Sequence, residues 1–431
     1  MVNNHHLLKN HLTKKPPGSL RNIKTDSLAL EILKQLGQHN FQAFLVGGCV
    51  RDALVNLEPK DFDIATNATP DEIRKIFKAS RIIGKRFKLV HVFHKQKIIE
   101  VSTFRSSKVN AGDDDQEILK DQQGKIVRDN SWGTIEEDCQ RRDFTINALY
   151  YNPANQILFD PHNGVEHAKK RLLVSIGNPL RRFEEDPVRS LRAIRFATKL
   201  GFNIHHDIKE AIYQKGSLLN SVSTARMFDE FNKLFLQGLA KDNFFMLDQF
   251  GLSKHLFSTK LGEEGSFQRK MLIRSLENTD ERVRSSQSVT AGFLIAAMLW
   301  PKLVKLSADK EEINLKTFYR NMDFCIGHQM VLTAVPRRFY GYIKDIWALQ
   351  IKLQSRLGKQ PIKLVGHPRF RAAFDLLLIR EQCFSKSEGL TEWWLKFQNS
   401  SRAQKSYILE KLYEERKGTE YKKFGFSEEI S

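Results

Sequence analysis

The chain contains few cysteines, and they are far apart. Its four cysteines, Cys49, Cys139, Cys325 and Cys383, are scattered through 431 residues and form no Cys-x-x-Cys pair. Structural zinc sites and disulfide frameworks need cysteines at closer, regular spacing, so this distribution argues against both. It fits a protein of a reducing compartment, and we expect a cytoplasmic location.

Long hydrophobic runs are also absent. The most apolar stretch, residues 289–300, is interrupted by Thr290 and Gly292 and is about half as long as a membrane span must be. The basic residues 1–25 lack the continuous apolar segment of a secretory signal. We therefore expect no stable membrane insertion.

Acidic residues are under-represented. The chain has 50 acidic against 69 basic side chains, which gives a formal net charge of +19. Such an excess predicts a polyanionic partner, with nucleic acid the first candidate and an anionic membrane surface the second. The alternative is a cationic surface that serves only solubility.

Hydrophobic periodicity predicts an α+β protein. Strands are expected at 41–46 and 61–64 and as a hairpin within 87–104, with short helices between them, which makes a small mixed α/β head. From about Glu184 onward the pattern is helical, and we expect an elongated all-helical body.

Two aspartates, Asp61 and Asp63, follow closely behind the glycine pair Gly47-Gly48. On an extended strand, side chains at i and i+2 point to the same face, so the two carboxylates should lie side by side. That arrangement is unfavourable unless a cation lies between them, and Mg²⁺ prefers such oxygen ligands. The glycines let backbone N–H groups approach a phosphate. The alternative is a pair of surface aspartates in a turn.

Two more carboxylates are candidates for the same site. Glu100 interrupts an apolar strand and is either a third, tentative metal ligand or an edge-strand residue paired with a lysine or arginine. Asp143 follows Arg141-Arg142 and could face a metal or a ribose hydroxyl. Those two arginines could equally contact triphosphate oxygens.

A third cluster begins at Asp186-Pro187 and continues with Arg189, Arg192 and Arg195 at a spacing of three residues. On a helix these arginines form one stripe. The stripe is either a solvated basic face or a nucleobase site. An aspartate acceptor beside an arginine donor matches adenine or cytosine, both of which present an amino donor next to a ring-nitrogen acceptor.

These three motifs, in this order, resemble the class II nucleotidyltransferase family of bacterial poly(A) polymerases and tRNA CCA-adding enzymes. The resemblance covers roughly the first 240 residues. Composition and the resemblance together predict five segments: a basic, disordered lead-in (1–25), a nucleotidyltransferase head (26–180), a helical neck that recognises the nucleobase (181–240), a helical body with the RNA-binding region (241–414) and a charged tail (415–431).

The resemblance also implies roles for particular residues. Asp61 and Asp63 would bind two Mg²⁺ ions and act in catalysis together with Asp143, with ATP as substrate. The nucleotide-binding residues would be Gly47, Gly48, Arg51, Arg142, Asp186, Arg189, Arg192 and Arg195.

The poly(A) polymerase branch is favoured by residues 130–138 and by a C-terminal stretch that mixes basic and aromatic residues. Such a mixture suits single-stranded RNA, because cations follow the phosphates while rings stack on bases. The tentative RNA-binding residues there are Arg337, Arg338, Lys344, Arg369 and Arg371.

We therefore predict a monomeric enzyme that adds AMP from ATP to RNA 3′ ends without a template and releases pyrophosphate, as in mRNA processing and decay, with RNA-decay proteins as partners. The nearest alternative is a tRNA CCA-adding enzyme. An alternative from another class is a non-catalytic RNA-binding protein.

Overall fold

A computed structural model describes residues 12–13, 16–84, 88–106, 118–120, 126–129, 131–259, 262–309, 312–384 and 389–416. The chain divides into two units, Met1–Leu218 and Leu219–Ser431. The first unit holds the sheet and the predicted site motifs. The boundary between the two units, at residues 218 and 219, lies inside the predicted neck (181–240). The five predicted segment limits therefore stay a prediction.

The first unit is built on one mixed sheet. Its strands, numbered along the chain, are β1 (Leu12–Thr13), β2 (Ala43–Val46), β3 (Asp63–Thr66), β4 (Ser80–Ile83), β5 (Leu89–His94), β6 (Lys97–Thr103), β9 (Tyr150–Asn152) and β10 (Ile157–Phe159), with a separate pair β7 (Ile118–Lys120) and β8 (Ile126–Asp129). The order across the sheet is β1-β10-β9-β2-β3-β6-β5-β4. Only the β3–β6 neighbours are parallel among these pairs. The predicted mixed sheet is confirmed.

Helices surround this sheet. They are α1 (Gly18–Arg21), α2 (Ser27–Gln38), α3 (Gly48–Leu54), α4 (Pro70–Ile76), α5 (Ile135–Arg141), α6 (Gly164–Lys169), α7 (Pro179–Glu185), α8 (Val188–Leu200) and α9 (His206–Lys215), with a 3₁₀ turn at Thr145–Asn147 and a small parallel pair, β11 (Leu172–Leu173) and β12 (Asn203–Ile204).

Local sequence explains where several of these helices begin. The Asp26 side chain accepts a hydrogen bond from the Leu28 amide and caps α2. Thr69 and Glu72 form a reciprocal capping box ahead of α4, and Pro70 occupies its first turn. These caps satisfy amides that have no partner within the helix.

The predicted disorder of residues 1–25 is wrong for the segment from Pro16 to Thr25. This segment contains α1, and Leu20 is fully buried in the core of the first unit with Ile23 packed against that core. These two apolar side chains anchor a segment whose overall composition is polar and basic.

The second unit is helical. Its helices are α10 (Thr224–Phe235), α11 (Ala240–Gln249), α12 (Phe267–Arg284), α13 (Ala291–Ser307), α14 (Leu315–Met330), α15 (Arg338–Leu353), α16 (Gln360–Val365), α17 (Phe370–Gln382), α18 (Leu390–Asn399) and α19 (Arg402–Arg416). The one exception within the described residues is a short antiparallel pair, β13 (Ala308–Asp309) and β14 (Glu312–Ile313). Most of the predicted tail, 415–431, lies outside the described residues.

The four cysteines are free thiols buried in the two units, Cys49 and Cys139 in the first and Cys325 and Cys383 in the second. Across the part of the chain that the structure describes, no helix combines the length and apolar character needed to cross a bilayer.

Candidate active site

The acidic pair lies where β3 begins. Asp61 and Asp63 are exposed, whereas Phe62 between them is only 8% exposed and belongs to the core. This alternation places the two carboxylates on the accessible side and the aromatic ring on the buried side. The exposure pattern agrees with the i, i+2 spacing, and the joint role of the two carboxylates stays a prediction.

The carboxylate of Asp63 is in an electrostatically unfavourable position. Although part of the residue reaches the surface, desolvation by the protein around it raises the pKa of Asp63 to about 6. The negative charges of Glu100 and Asp61 add to this rise, and the positive charge of Arg142 opposes it. Because a bound cation would relieve this repulsion, the residues fit a divalent ion such as Mg²⁺.

Glu100 lies on the neighbouring strand, directly opposite Asp63 in the parallel β3–β6 register. Its Oε1 is 3.2 Å from Nε2 of His91 on β5. Among the described residues, Asp61, Asp63 and Glu100 do not bring one oxygen each to within 4.8 Å of one another. Glu100 thus contributes negative charge near the pair, while its own carboxylate contacts a histidine.

The glycine turn joins β2 to α3 beside the acidic pair. Val46, the last residue of β2, pairs with Asp63 in the sheet, and Gly47 follows it with φ 72° and ψ −121°. A residue with a Cβ rarely adopts this conformation, which explains the glycine. Backbone amides at the start of α3 are thereby placed next to Asp63.

Arg51 lies under this turn rather than in open solvent. It is 5% exposed; its Nε and Nη2 bond to Oδ1 of Asp52 at 2.8 and 2.6 Å, and its Nη1 bonds to Oδ1 of Asn147 at 2.8 Å. Its guanidinium also lies 4.9 Å from the Phe196 ring centroid on α8. These internal partners make Arg51 a support for the turn.

Arg142 approaches the turn from the other side. Its Nη1 lies 3.7 Å from the position that a Cβ on Gly47 would take. Nε donates to the Tyr150 hydroxyl at 2.8 Å, and Nη2 donates to Asp138 at 3.2 Å. Asp138 and Tyr150 thus hold this cation next to both the glycine turn and Asp63.

Asp143 is buried and paired with the arginine stripe. Its Oδ2 accepts from Nε and Nη2 of Arg192 at 2.7 and 2.5 Å, and its Oδ1 accepts from the Asn147 side chain and the Phe144 amide at 3.0 and 2.9 Å. Burial alone would raise the pKa of Asp143, but Arg192 and these hydrogen bonds together hold it below the ordinary value. Both oxygens therefore serve to orient protein groups.

The arginine stripe on α8 is not a uniformly solvated face. Arg189 donates to the carbonyls of Arg182 and Arg141 and contacts Glu185, and Arg192 pairs with Asp143. Arg195 lies 4.8 Å from the Phe196 ring centroid. The three arginines of the stripe therefore have different partners, and their contact with a nucleobase stays a prediction.

Asp186 lies between α7 and α8. It is half-buried, and its Oδ1 accepts from the Val188 amide at 3.3 Å. This hydrogen bond helps α8 begin after Pro187 and places the carboxylate one turn before Arg189.

Several guanidinium groups cluster around the end of α5. Burial and, after it, the positive charges of Arg105, Arg182 and Arg189 lower the pKa of Arg141 to about 10. Mutual repulsion of this kind is relieved when an anion binds, so the cluster fits a polyphosphate or a nucleic acid backbone.

Arg182 is a residue that the sequence analysis did not single out. Its Nη2 donates to the carbonyls of Gln140, Arg141 and Arg142 at 3.4, 2.8 and 2.7 Å, and its Nη1 contacts Glu185 at 2.7 Å. It thereby joins the C-terminal end of α5 to α7. The only signal in the sequence is its i, i+3 spacing to Glu185.

The predicted RNA-binding residues all lie in the second unit, in two different settings. Arg337, Arg338 and Arg369 are exposed, and Arg369 lies 5.0 Å from the ring centroid of Tyr342. The other two are engaged in ion pairs, Lys344 with Asp323 and the likewise exposed Arg371 with Asp375. Because an ion pair competes with a phosphate for the cation, Arg337, Arg338 and Arg369 are better placed for phosphate contacts.

Comparison with known families gives matches along most of the chain. The poly A polymerase head domain matches residues 43–174, the probable RNA and SrmB-binding site of polymerase A matches 201–259, and the polymerase A arginine-rich C-terminus matches 310–424.

Individual relatives agree with this result. The chain is 40% identical over 394 residues to poly(A) polymerase I of Salmonella typhimurium, covering 89% of this chain and 85% of the relative. It is 39% identical to poly(A) polymerase I of Haemophilus influenzae, with 89% and 86% covered. A CCA-adding enzyme of Geobacillus thermodenitrificans is 37% identical, but only 56% of this chain and 57% of that enzyme are covered.

Solved structures share the fold. A tRNA-processing enzyme in an apo form superposes with a TM-score of 0.61 at 16% identity, covering 88% of this chain and 99% of that chain. A tRNA nucleotidyltransferase complexed with a primer tRNA and an incoming ATP analog gives 0.57 at 19% identity, with 90% and 99% covered.

The mixed sheet, the paired aspartates and the helical second unit define a nucleotidyltransferase. At 40% identity over most of both chains, the particular branch is also defined. The chain belongs to the poly(A) polymerase family, and the predicted polynucleotide adenylyltransferase activity and polyadenylation are confirmed at this level. The alternative of a non-catalytic RNA-binding protein is not supported.

Proposed function

We propose that Asp61 and Asp63 form the catalytic centre at which the 3′-hydroxyl of an RNA attacks the α-phosphate of ATP. The bond from the RNA oxygen to the α-phosphorus forms, the bond to the bridging oxygen breaks, and pyrophosphate leaves. The observation that carries this proposal is the position of both carboxylates on one accessible face beside the glycine turn.

The cofactor is Mg²⁺, with two ions. Asp61 and Asp63 would hold them, and Glu100 would strengthen cation binding through its charge. When bound, the metal polarises the attacking hydroxyl and neutralises charge on the leaving pyrophosphate. The raised pKa of Asp63 supports this assignment, because accumulated negative charge favours a cation there.

The triphosphate binds against the glycine turn. The amides at Gly47 and Gly48 and the guanidinium of Arg142 face the phosphates, and Arg51 keeps the turn in place from below. The arginine cluster around Arg141 adds positive potential to this region.

The adenine and ribose lie toward α8. Asp186 accepts from the adenine amino group, and Arg189 and Arg192 supply donors for its ring nitrogen and for the ribose, with Arg195 beside them. Asp143 acts through Arg192, since its two oxygens already have protein partners.

The RNA primer is the second substrate. Arg337, Arg338 and Arg369 follow its phosphates, and the half-buried ring of Tyr342, 5.0 Å from the Arg369 guanidinium, is the candidate for stacking on a base. The monomeric state, the cytoplasmic location and the RNA-decay partners stay predictions.

The test is extension of a short RNA with each nucleoside triphosphate supplied alone. We expect long tails from ATP with the unchanged protein. Asp61→Ala and Asp63→Ala should each lower AMP incorporation at least about a thousandfold while RNA binding is retained. Asp71→Ala, at an exposed aspartate in the first turn of α4, is the matched control.

Two results would contradict the proposal. Substantial AMP incorporation by both aspartate variants would remove their catalytic role. Efficient CTP incorporation that stops after a short, fixed addition would favour the tRNA CCA-adding alternative.

A further inference from the structure

Asn147 lies between two charged groups in the first unit. Its Oδ1 accepts from Nη1 of Arg51 at 2.8 Å, and its Nδ2 donates to Oδ1 of Asp143 at 3.0 Å. The residue is 5% exposed. Arginine can only donate and an ionised carboxylate can only accept, so the amide has one workable orientation. A side chain with only donors or only acceptors cannot make both bonds.

On one side, Asn147 contacts the support of the glycine turn. Nη2 of Arg51 lies 3.7 Å from the position that a Cβ on Gly48 would take. Asp52 holds the rest of this guanidinium, and its second oxygen is 3.0 Å from Nζ of Lys199 on α8. A buried arginine therefore connects the turn to the Asn147 amide.

On the other side, Asn147 fixes the residue that orients Arg192. The Asp143 carboxylate binds Arg192 through both Nε and Nη2, and the Arg192 guanidinium lies 5.3 Å from the Phe196 ring centroid. Arg51 lies 4.9 Å from the same centroid. Phe196 is thus flanked by the arginine of the glycine turn and the arginine of the nucleobase site.

Adenine and cytosine present similar hydrogen-bonding edges, an amino donor beside a ring-nitrogen acceptor. Preference for one of them depends on where the matching protein groups are held. A guanidinium that can rotate could donate to either base. One that Asp143 and Phe196 hold in a fixed direction donates only to the base whose ring nitrogen lies at the matching position.

We propose that Asn147 is a positioning residue that couples the glycine turn to Arg192 and thereby sets the preference for ATP over CTP. The inference rests on the proposed function, in which the turn binds the triphosphate and Arg192 contacts the nucleoside. Asn147 itself touches neither substrate. Its action is to hold Asp143, and so Arg192, in the direction that matches a triphosphate bound at the turn.

The sharpest variant is Asn147→Asp, which keeps the size of the side chain and its bond to Arg51 but removes the donor to Asp143. Equilibrium dissociation constants for ATP and CTP are measured with Mg²⁺ present, and KM and kcat are measured with a short RNA. We expect the ATP-to-CTP affinity ratio to fall about tenfold, equivalent to about 1.4 kcal/mol. The change should appear mainly in KM.

Two further variants test whether the effect depends on Asn147 and acts through Arg192. Lys170→Met removes an exposed ion pair with Glu166 in the same unit and should leave the ratio unchanged. In an Arg192→Ala background, Asn147→Asp should change the ratio less than twofold, because the group through which it acts is gone.

An unchanged ratio, including equal losses of ATP and CTP affinity, would show that Asn147 only packs the site and would overturn the inference. A full tenfold effect in the Arg192→Ala background would do the same. If Asn147→Asp does not fold by circular dichroism, Asn147→Ser tests the same ratio without adding a charge.

The binding measurement also separates this inference from the proposed function. Failure of the proposed function would appear as substantial AMP incorporation by both Asp61→Ala and Asp63→Ala, or as CTP incorporation that stops after a short, fixed addition. Failure of the inference would appear as a constant ATP-to-CTP dissociation ratio, which requires no turnover.

Discussion

Replacement of Arg182 offers a sharp test of how the first unit positions its site. Nη2 of Arg182 makes short hydrogen bonds to the carbonyls of Arg141 and Arg142 at 2.8 and 2.7 Å. Its contact to the Gln140 carbonyl at 3.4 Å is near the limit of a hydrogen bond. Its partner Glu185 is 54% exposed, so that ion pair contributes little.

The expected magnitude follows from these distances. A hydrogen bond from a charged donor contributes about 1.5 kcal/mol at the lower end of its range, so the two short bonds give about 3 kcal/mol. Arg182→Ala should therefore destabilise the end of α5 by about 3 kcal/mol. Because Asp143 follows this segment directly, kcat/KM for AMP incorporation should also fall about 10- to 100-fold.

Hydrogen exchange is the suitable assay, because a chain with two units need not unfold in a single step. Amides of residues 135–147 should exchange about 150-fold faster in Arg182→Ala. Arg181→Ala is the matched control, since Arg181 is the exposed neighbour on α7. Equal exchange and equal activity in the two variants would refute the role given to Arg182.

Three further predictions concern single features. Since the folded pKa of Asp143 lies below its ordinary 3.8, its stabilising effect is present above about pH 4 and is lost as the pH falls through the folded pKa. In a thermal unfolding series, the stability difference between the unchanged protein and Asp143→Asn should therefore shrink as the pH is lowered below about 4, and a constant difference would contradict this. Gly47→Ala should lower the unfolding free energy by about 1–3 kcal/mol, because φ at this position is 72°. It should also raise the KM for ATP. An unchanged melting temperature would contradict backbone strain in the alanine variant. Changing Arg337, Arg338 and Arg369 together to Gln should lower the salt dependence of single-stranded RNA binding by about 2 in log–log slope. No change in slope would exclude these three arginines as phosphate contacts.

The sequence was sufficient for the parts of the site that depend on local geometry. The alternation at Asp61 and Asp63, the glycine turn and the three-residue spacing on α8 follow from strand and helix periodicity alone. Helix starts at Asp26 and Thr69 were likewise predictable, because capping residues act within three or four positions.

The partners of the arginines could not be predicted in this way. Arg51 bonds to a residue 96 positions away, and Arg192 to one 49 positions away. In a sequence, an arginine that faces a phosphate and one that supports a turn look identical. The partners of Arg182 are harder still to predict, because they are backbone carbonyls. Every residue has one, so the residue types in the sequence give no indication of which carbonyls accept.

Because each unit contains two buried cysteines, the reactivity of these thiols can be used to measure the unfolding of each unit separately. Burial raises the pKa of Cys49 to about 12 and that of Cys325 to about 11, so neither thiol is a ready nucleophile in the native state. Alkylation at Cys49 or Cys139 would then report opening around the catalytic sheet, and alkylation at Cys325 or Cys383 opening of the helical half. One denaturant titration read by mass spectrometry would yield two separate stability curves without any added label.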